Sequence, residues 1–180
     1  MNVAVLKRLL EGVRDKKTGI DAALHELKAL PFEDLEFATI DTHRALRQGF
    51  PEVIFGQGKT FPQIKAIAKS MLKRKENVLI TRCEADKGKA LKKAFPKASY
   101  SASARTIFIK SHEIIDSGRG SILVVCAGTS DVPVAEEAAI TAECMGNRVE
   151  RLYDVGVAGI HRLLHRKKDL WAANVLVVVA

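Results

Sequence analysis

Three apolar segments in the last third of the chain constrain its fold more than any other feature. ILVVCA (122–127) and NVLVVVA (174–180) are almost wholly apolar, and RVERLYD (148–154) lies between them. Helical patterns over 133–145 and about 158–171 separate the three segments. Continuous apolar strands that alternate with helices are typical of a parallel sheet covered on both faces. The sequence therefore predicts an α/β fold with a three-layer parallel sheet in this region.

The residues before this sheet are predicted to form a smaller α/β region behind a helical segment. Apolar residues at helical spacing predict helices, with Pro31 ending the second, and β-branched runs predict strands. The predicted helices cover 3–13, 20–30, 60–74 and 86–95, and the predicted strands cover 35–41, 52–56, 77–82 and 103–110. We therefore expect an N-terminal helical segment (1–34), an N-terminal α/β region (35–117) and a parallel-sheet domain (118–180).

The chain ends inside its most apolar predicted strand, at Ala180. Three strands make a small sheet for this class, and an uncovered apolar edge strand favours aggregation. We therefore expect the parallel-sheet domain to be truncated at its C-terminus. A terminal strand that lies between two others is the alternative.

The whole chain has a net charge of +8, and its positive charge is concentrated in the first 110 residues. Residues 1–110 carry 22 Lys and Arg against 12 Asp and Glu, whereas residues 111–180 carry 7 against 9. Such a basic region attracts polyanions, so a nucleic-acid-binding protein is one hypothesis. Only 6% of the residues are aromatic, which leaves few surfaces on which bases could stack. The same positive charge would attract a small molecule that carries phosphate. The remaining alternative is a solvated basic surface that binds no ligand.

The cysteines and the hydropathy pattern exclude several other classes of protein. Cys83, Cys126 and Cys144 are three in number and have no CxxC spacing, which argues against a disulfide framework and a zinc site. No apolar run approaches the roughly 20 residues of a membrane helix, and the N-terminus lacks the apolar core of a signal peptide. We therefore expect a cytoplasmic protein.

Two turns rich in small residues follow the first two apolar strands. AGTSD (127–131) opens one helix, and DVGVAGIHR (154–162) opens the next. Ligands bind at the carboxyl ends of parallel strands, and the amides of a helix N-terminus attract phosphate. Asp131 and Asp154 are predicted on neighbouring strand ends, where they would bind a ribose, a cation or a proton in transit. Asp131 as an ordinary helix N-cap is the alternative.

Cationic residues at three element ends in the N-terminal region are further candidates for anion binding. GQGKT (56–60) lacks the first glycine of a P-loop, but Lys59 beside two glycines and a helix N-terminus suits an anion. Arg82 and Arg105 stand at a strand end and a strand start, where each is either a phosphate ligand or a surface charge. His161 and His165 share a helix face, but no third metal ligand accompanies them, so no metal site is predicted.

These strings together resemble the core of the LarB family. AGTSDVPVAEEAAITAECMG and VERLYDVGVAGIHRLL carry the resemblance, and HRALRQGFPEVIFGQGKTFPQI, VLITR and SARTI precede them in the family's order. AGTSD also resembles the GSxSD phosphate motif of aminoimidazole ribonucleotide carboxylases, which are relatives of LarB. The resemblance covers roughly residues 35–180, and it implies a flavodoxin-like (PurE-like) three-layer fold.

The resemblance also implies a reaction and its co-substrates. LarB enzymes carboxylate the pyridine ring of nicotinic acid adenine dinucleotide with CO2 and split its phosphoanhydride. The products are pyridinium-3,5-biscarboxylic acid mononucleotide and AMP, for synthesis of the nickel-pincer nucleotide of lactate racemase. CO2 or bicarbonate is then the co-substrate, Mg²⁺ is a candidate assisting ion, no cofactor is bound covalently, and the enzyme is expected to be a homo-oligomer.

The residues that match the family's motifs are the predicted substrate-binding set. They are Arg82, Arg105, Gly128, Thr129, Ser130, Asp131, Asp154, Gly156, Gly159 and His161. We expect Arg82, Arg105 and the AGTSD turn to form one site for an anionic ligand, with Arg82 within reach of the turn directly or through that ligand. The family's catalytic cysteine lies beyond Ala180, so none of the three cysteines here matches it. We therefore expect the 180-residue chain to be inactive alone, and an aminoimidazole ribonucleotide carboxylase is the alternative enzyme.

Overall fold

The computed structural model describes residues 3–28 and 32–180. Helices α1 (Val3–Arg14) and α2 (Ile20–Lys28) pack against each other at the N-terminus, as the apolar spacing predicts. Pro31, which was predicted to end α2, lies outside the described residues. No helix in the two described ranges is long and apolar enough to cross a membrane.

The prediction of one strand over 35–41 is wrong in its first half. The structure has a hairpin of β1 (Phe32–Asp34) and β2 (Thr39–Asp41), and Leu35–Ala38 form its turn. The Leu35 amide donates to the Ala38 carbonyl at 2.9 Å, and Glu36 adopts a left-handed backbone with φ 68°. The apolar residues in LEFA therefore form a hairpin turn, which apolar content alone does not distinguish from a strand.

The N-terminal sheet is mixed, with the order β3-β4-β6-β5. Strands β3 and β4 are parallel, whereas β6 is antiparallel to both β4 and β5. A short helix, α3, precedes the sheet, and helices α4 and α5 share its main apolar core. The bounds are α3 (Arg44–Gln48), β3 (Val53–Phe55), α4 (Phe61–Lys73), β4 (Val78–Thr81), α5 (Ala85–Ala94), β5 (Ala98–Ser101) and β6 (Thr106–Ile109).

Helix α4 begins where the sequence predicts, because Thr60 caps it. The Thr60 hydroxyl accepts from the Gln63 amide, and the Gln63 side chain accepts from the Thr60 amide at 2.9 Å. This reciprocal capping box satisfies two amides that a helix start otherwise leaves unpaired. It also fixes the direction in which the GQGKT turn enters the helix.

The C-terminal sheet is parallel throughout and has the order β8-β7-β9. One of its faces packs on α6 through Val124, Cys126, Ala135 and Ala139. The other face packs on the segment that contains α7 and α8. Its elements are β7 (Ser121–Cys126), α6 (Val132–Cys144), β8 (Arg148–Leu152), α7 (Ile160–His165), α8 (Lys167–Ala172) and β9 (Val175–Val179). Helices on both faces of a parallel sheet confirm the predicted three-layer α/β class.

The single helix predicted over about 158–171 is divided in two in the structure. Helix α7 ends at His165, and α8 begins at Lys167. Arg166 lies between them with φ −99° and ψ 17°, outside the helical region. Both pieces keep their apolar contacts with the sheet through Leu163 and Leu170, so the helical spacing of apolar residues survives the break.

Helix α6 also contacts the N-terminal sheet, through β4 and β6, and so lies between the two sheets. The connection from β6 to β7 is held at both ends. The amides of Ser111 and His112 donate to Asn77 Oδ1, and the amides of Ser117 and Gly118 donate to the Gly146 carbonyl. These bonds anchor one end of the connection beside β4 and the other end just after α6, while the division into three domains stays a prediction.

Candidate functional site

The AGTSD turn closes on itself at the carboxyl end of β7. Asp131 Oδ2 accepts from the Gly128 amide at 2.8 Å, and Thr129–Asp131 form one 3-10 turn that runs directly into α6. Thr129 and Ser130 are exposed, so both hydroxyls are available to a ligand. Asp131 therefore has a defined local role, which is to hold the turn in shape as a capping residue does.

Gly128 is not required by the protein's own packing. Its φ is −133°, which any residue adopts. A Cβ atom at this position would meet Asp131 Oδ2 at 3.6 Å and Ser130 Oγ at 3.7 Å, which are ordinary contacts. The space above Gly128 is therefore open, as a surface that receives a ligand would be.

The DVGVAG turn lies directly against the AGTSD turn. The Gly156 amide donates to the Ala127 carbonyl at 2.8 Å, and the Val155 amide donates to the Cys126 carbonyl at 3.2 Å. A Cβ atom on Gly156 would lie only 2.8 Å from the Ala127 oxygen, so a side chain does not fit there. The two turns that the sequence places on neighbouring strand ends are thus joined through their backbones.

An open depression of ≈ 620 Å³ lies beside the DVGVAG turn and is lined mainly by polar and cationic side chains. Asp154, whose φ is 59°, forms an ion pair with Arg162 across it. His161 and His165 are exposed and line the same depression. Gly159 lies against the Arg162 guanidinium, since a Cβ atom on Gly159 would meet Arg162 Nε at 2.6 Å. Arg162 therefore belongs to this part of the site, although the predicted set does not include it.

Arg82 lies at the carboxyl end of β4, and α6 provides its partner. Arg82 Nε lies 2.9 Å from Glu137 Oε1 and 2.7 Å from Oε2. Glu137 is six residues beyond Asp131, so Arg82 is bound to the helix that follows the AGTSD turn. The predicted contact with the turn itself stays a prediction, since no ligand is present to bridge it.

The backbone of Arg105 lies beside that of Cys83, the residue that follows Arg82. The Cys83 amide donates to the Arg105 carbonyl at 2.7 Å, and the Arg105 side chain is exposed. Arg82 and Arg105 both have φ 51°, in the left-handed region that non-glycine residues rarely adopt. The structure therefore brings these two arginines together at one edge of the N-terminal sheet.

None of the three cysteines is placed as a reactive thiolate. Cys83 and Cys126 are wholly buried, and burial raises the pKa of Cys83. Burial also raises the pKa of Cys144, to about 12, and nearby Glu143 adds to the shift. Because the thiolate is the nucleophile, these thiols are unreactive at neutral pH. Within residues 3–28 and 32–180, no group of three or more His, Cys, Asp or Glu could hold a metal ion.

Glu137 is the functional candidate that sequence reasoning missed. It lies in AEEAA, inside a helix that carries three glutamates among mostly small and apolar residues, and its side chain is only 17% exposed. A charge that interrupts an apolar helix was the available signal, because a buried carboxylate needs a partner. That partner comes from a residue 55 positions away, which no local pattern identifies.

Comparisons with known proteins agree with this architecture. The LarB/PurE-like N-terminal domain family matches residues 32–112. The chain is also 30% identical, over 180 residues, to the uncharacterized protein MJ0165 of Methanocaldococcus jannaschii, and the match covers 97% of this chain and 70% of that protein. The family match spans the N-terminal sheet with its helices, and the relative extends the similarity across the parallel sheet. The chain therefore belongs to the LarB family, in the LarB/PurE-like class of carboxylase-type enzymes.

Proposed function

We propose that this chain takes part in the carboxylation of the pyridine ring of nicotinic acid adenine dinucleotide by CO2. Hydrolysis of the phosphoanhydride would accompany this carboxylation. The products would be pyridinium-3,5-biscarboxylic acid mononucleotide and AMP, for nickel-pincer nucleotide synthesis. The observation that carries the proposal is the backbone-joined pair of turns, AGTSD and DVGVAG, in a chain of the LarB family. Together they offer one open surface, with the exposed hydroxyls of Thr129 and Ser130, at the carboxyl edge of a parallel sheet.

The AGTSD turn would bind the phosphate of the nucleotide half that carries the pyridine ring. The exposed hydroxyls of Thr129 and Ser130 and the open backbone above Gly128 are suited to phosphate oxygens. Asp131 would contribute by keeping the turn closed, because its carboxylate is already bonded to the Gly128 amide. The Asp154–Arg162 pair, with His161, would form the side of the pocket towards the ring.

Ring carboxylation needs an electron-rich carbon, and an unmodified pyridinium ring is electron-poor. Addition of a thiolate removes the aromaticity and creates an enamine-like carbon that attacks CO2; loss of a ring proton and of the thiolate then restores aromaticity. The buried thiols of Cys83 and Cys126 and the high pKa of Cys144 leave these three residues without that role. We assign the chain's described residues to binding and positioning, and we assign the nucleophile to none of its cysteines.

Mg²⁺ would assist by neutralising charge on the phosphoanhydride. The described residues contain no ready group of three ligands, and Mg²⁺ is commonly bound by one or two carboxylates together with substrate phosphates. We therefore expect any Mg²⁺ to bind with the dinucleotide rather than before it.

Calorimetric titration with two nucleotides tests the substrate class. We expect nicotinic acid adenine dinucleotide to bind more tightly than aminoimidazole ribonucleotide, and Ser130→Ala to weaken that binding by about tenfold, the loss of one charge-assisted hydrogen bond. Ser111→Ala removes an exposed hydroxyl outside the site and is the matched control. Preference for aminoimidazole ribonucleotide would instead support the purine-pathway alternative. Equal effects of the two substitutions would remove the AGTSD turn from the binding site.

The reaction is followed by mass spectrometry with the dinucleotide, bicarbonate and Mg²⁺. Because none of the three cysteines is assigned as the nucleophile, this chain alone should form neither AMP nor the biscarboxylated mononucleotide. Any turnover should release the two products in equal amounts, because each cycle yields one of each. If turnover occurs, single Cys→Ala changes at the three positions should leave its rate unchanged. A rate that collapses in one of these variants would overturn the assignment of these cysteines as structural.

A further inference from the structure

We propose that the cavity between the N-terminal sheet and the C-terminal end of α6 is a second ligand site, for a small neutral aromatic compound that carries a hydrogen-bond acceptor. This cavity lies where α6 ends, whereas the AGTSD turn lies where α6 begins. The 13 residues of α6 separate the two places by roughly 20 Å of helix rise. The second site is therefore distinct from the substrate site, and it does not rest on the proposed function.

The site consists of three adjoining cavities of ≈ 340, ≈ 280 and ≈ 20 Å³, and Cys144 lines all of them. The largest is within the range of pockets that hold small ligands, roughly 300–1,000 Å³. Its apolar walls include Phe50 before β3, Ile114 in the connection from β6 to β7, and Met145 after α6. The two smaller cavities extend the site to Phe108 on β6. Such walls favour a flat ring, because aromatic and sulfur-bearing side chains pack well against aromatic rings.

Asn77 provides the polar group of the cavity, and half of its side-chain amide has no partner in the protein. Only 7% of Asn77 is exposed, and its Oδ1 accepts from the amides of Ser111 and His112 at 2.7 and 3.0 Å. Its Nδ2 donates to no residue within 3–28 and 32–180, although Asn77 lines the cavity. Buried polar groups normally have hydrogen-bond partners, so an acceptor on a ligand would complete this amide.

The connection that forms one wall of the cavity is held at both ends, so the cavity exists before any ligand binds. Asn77 holds the start of this connection, and the Gly146 carbonyl accepts from the amides of Ser117 and Gly118 at its end, at 2.9 and 3.1 Å. A Cβ atom on Gly146 would collide with the Ile115 oxygen, so the connection is pressed against the turn after α6. The Ile115 side chain, which is 81% exposed, can therefore contact a ligand without rearrangement of the chain.

The charged groups around the cavity favour a neutral ligand. Although the chain has a net charge of +8, no lysine or arginine of the described ranges lines any of the three cavities. The glutamates at the walls already have partners, which are Lys110 for Glu113, Arg151 for Glu143 and the Asp41 amide for Glu52. A phosphate or carboxylate would lose its hydration here without gaining a counter-charge, so anionic ligands are disfavoured.

Titration of the isotope-labelled chain with benzamide, followed by NMR, tests the site. Benzamide has a flat neutral ring and a carbonyl acceptor, and benzoate has the same shape with a negative charge. We expect benzamide to bind with a Kd on the order of 1 mM, as suits so small a ligand, and to shift the resonances of the Asn77 side-chain amide. Benzoate should bind at least about tenfold more weakly, because the cavity offers its charge no partner.

Substitutions in the cavity locate the binding. Cys144→Phe fills the cavity and should abolish benzamide binding at an unchanged or higher melting temperature, whereas Cys144→Ser keeps the space and should bind benzamide within about twofold of the wild type. Asn77→Asp keeps an oxygen for the two backbone amides but removes the donor, so it should weaken benzamide binding by about tenfold. Ser130→Ala, in the AGTSD turn, should leave benzamide binding unchanged.

Three results would overturn the inference. They are a benzamide titration that does not saturate, equal binding of benzoate and benzamide, and benzamide binding by Cys144→Phe that matches the wild type. A Cys144→Phe chain that forms a smaller oligomer than the wild type in light scattering would assign this surface to a second copy of the chain, and would also overturn it. Because neither probe is a nucleotide, failure of the dinucleotide to bind or react would contradict the proposed function alone.

Discussion

Substitution by alanine is expected to have opposite effects on stability at two glycines in adjoining turns, Gly156 and Gly128. Gly156→Ala would place a Cβ 2.8 Å from the Ala127 oxygen, whereas Gly128→Ala would place one no closer than 3.6 Å to any neighbour. To reach an ordinary contact of 3.4 Å, the DVGVAG turn must retreat by about 0.6 Å. The Gly156–Ala127 hydrogen bond would then lengthen from 2.8 Å to about 3.4 Å and lose most of its strength.

The magnitude follows from the lost hydrogen bond and the accompanying strain. Breaking this partly buried hydrogen bond costs about 1–2 kcal/mol, and local repacking adds about 1 kcal/mol, so Gly156→Ala should lose about 2–3 kcal/mol of unfolding free energy. For a chain of this length the melting temperature should fall by roughly 4–12 °C. Gly128→Ala should instead leave stability unchanged or raise it by up to about 1 kcal/mol, because alanine restricts the unfolded chain.

Thermal unfolding followed by circular dichroism measures stability, and calorimetry with nicotinic acid adenine dinucleotide measures binding. On the proposed function, Gly128→Ala should weaken dinucleotide binding at unchanged stability, because the added methyl group occupies space reserved for a phosphate. Gly156→Ala should affect stability first. The reasoning is refuted if the two variants unfold at the same temperature, or if Gly128→Ala binds the dinucleotide as the wild type does.

Three further predictions concern ionisable groups. Glu137→Gln should lower the unfolding free energy by about 1–2 kcal/mol, measured in urea, because it leaves the partly buried Arg82 without its counter-charge. At pH 8 iodoacetamide should label none of the three cysteines in the native chain and all three in urea, as intact mass would report, since burial holds the pKa of Cys144 at about 12 and raises that of Cys83. Burial raises the pKa of Glu76 above its ordinary 4.5, although Glu76 pairs with Arg74, so its stabilising contribution is complete below that pH and is lost as pH rises through the folded pKa. Urea titrations at pH 5 and pH 8 should therefore show the stability of the wild type falling relative to that of Glu76→Gln as pH rises.

The parallel sheet was predictable because its strands are continuous apolar runs. Strand β7 is buried on both faces, and the helices that separate the three strands carry apolar residues at helical spacing. The positions of the small-residue turns were also predictable, because in a parallel sheet the turns that follow the strands all lie at the carboxyl edge. The family resemblance added the reaction, which no strand pattern contains.

The short elements of the N-terminal region were not predictable in this way. Strand β5 (ASYS) has one small apolar residue that is buried, Ala98, and its pairing with β6 is what makes it a strand. The hairpin turn at Leu35–Ala38 carries more apolar residues than either of its strands. Tertiary pairing overrides local propensity in segments this short, because three or four residues make too few contacts to define their own conformation.

Three of the candidate residues predicted from the sequence share a left-handed backbone conformation. Arg82, Arg105 and Asp154 all have left-handed φ values between 51° and 59°. Arg82 directly follows β4, Arg105 directly precedes β6, and Asp154 lies two residues after β8. A non-glycine residue in this region is uncommon and costs of order 1 kcal/mol or more, so it persists only where its surroundings determine it. Here the surroundings are the hydrogen bonds that join neighbouring strand ends, Cys83 to Arg105 and Val155 to Cys126. In this conformation Arg82 pairs with Glu137 of α6, and Asp154 pairs with Arg162 of α7. The strand termini of the two sheets therefore direct these two charged side chains to helices that pack beside them.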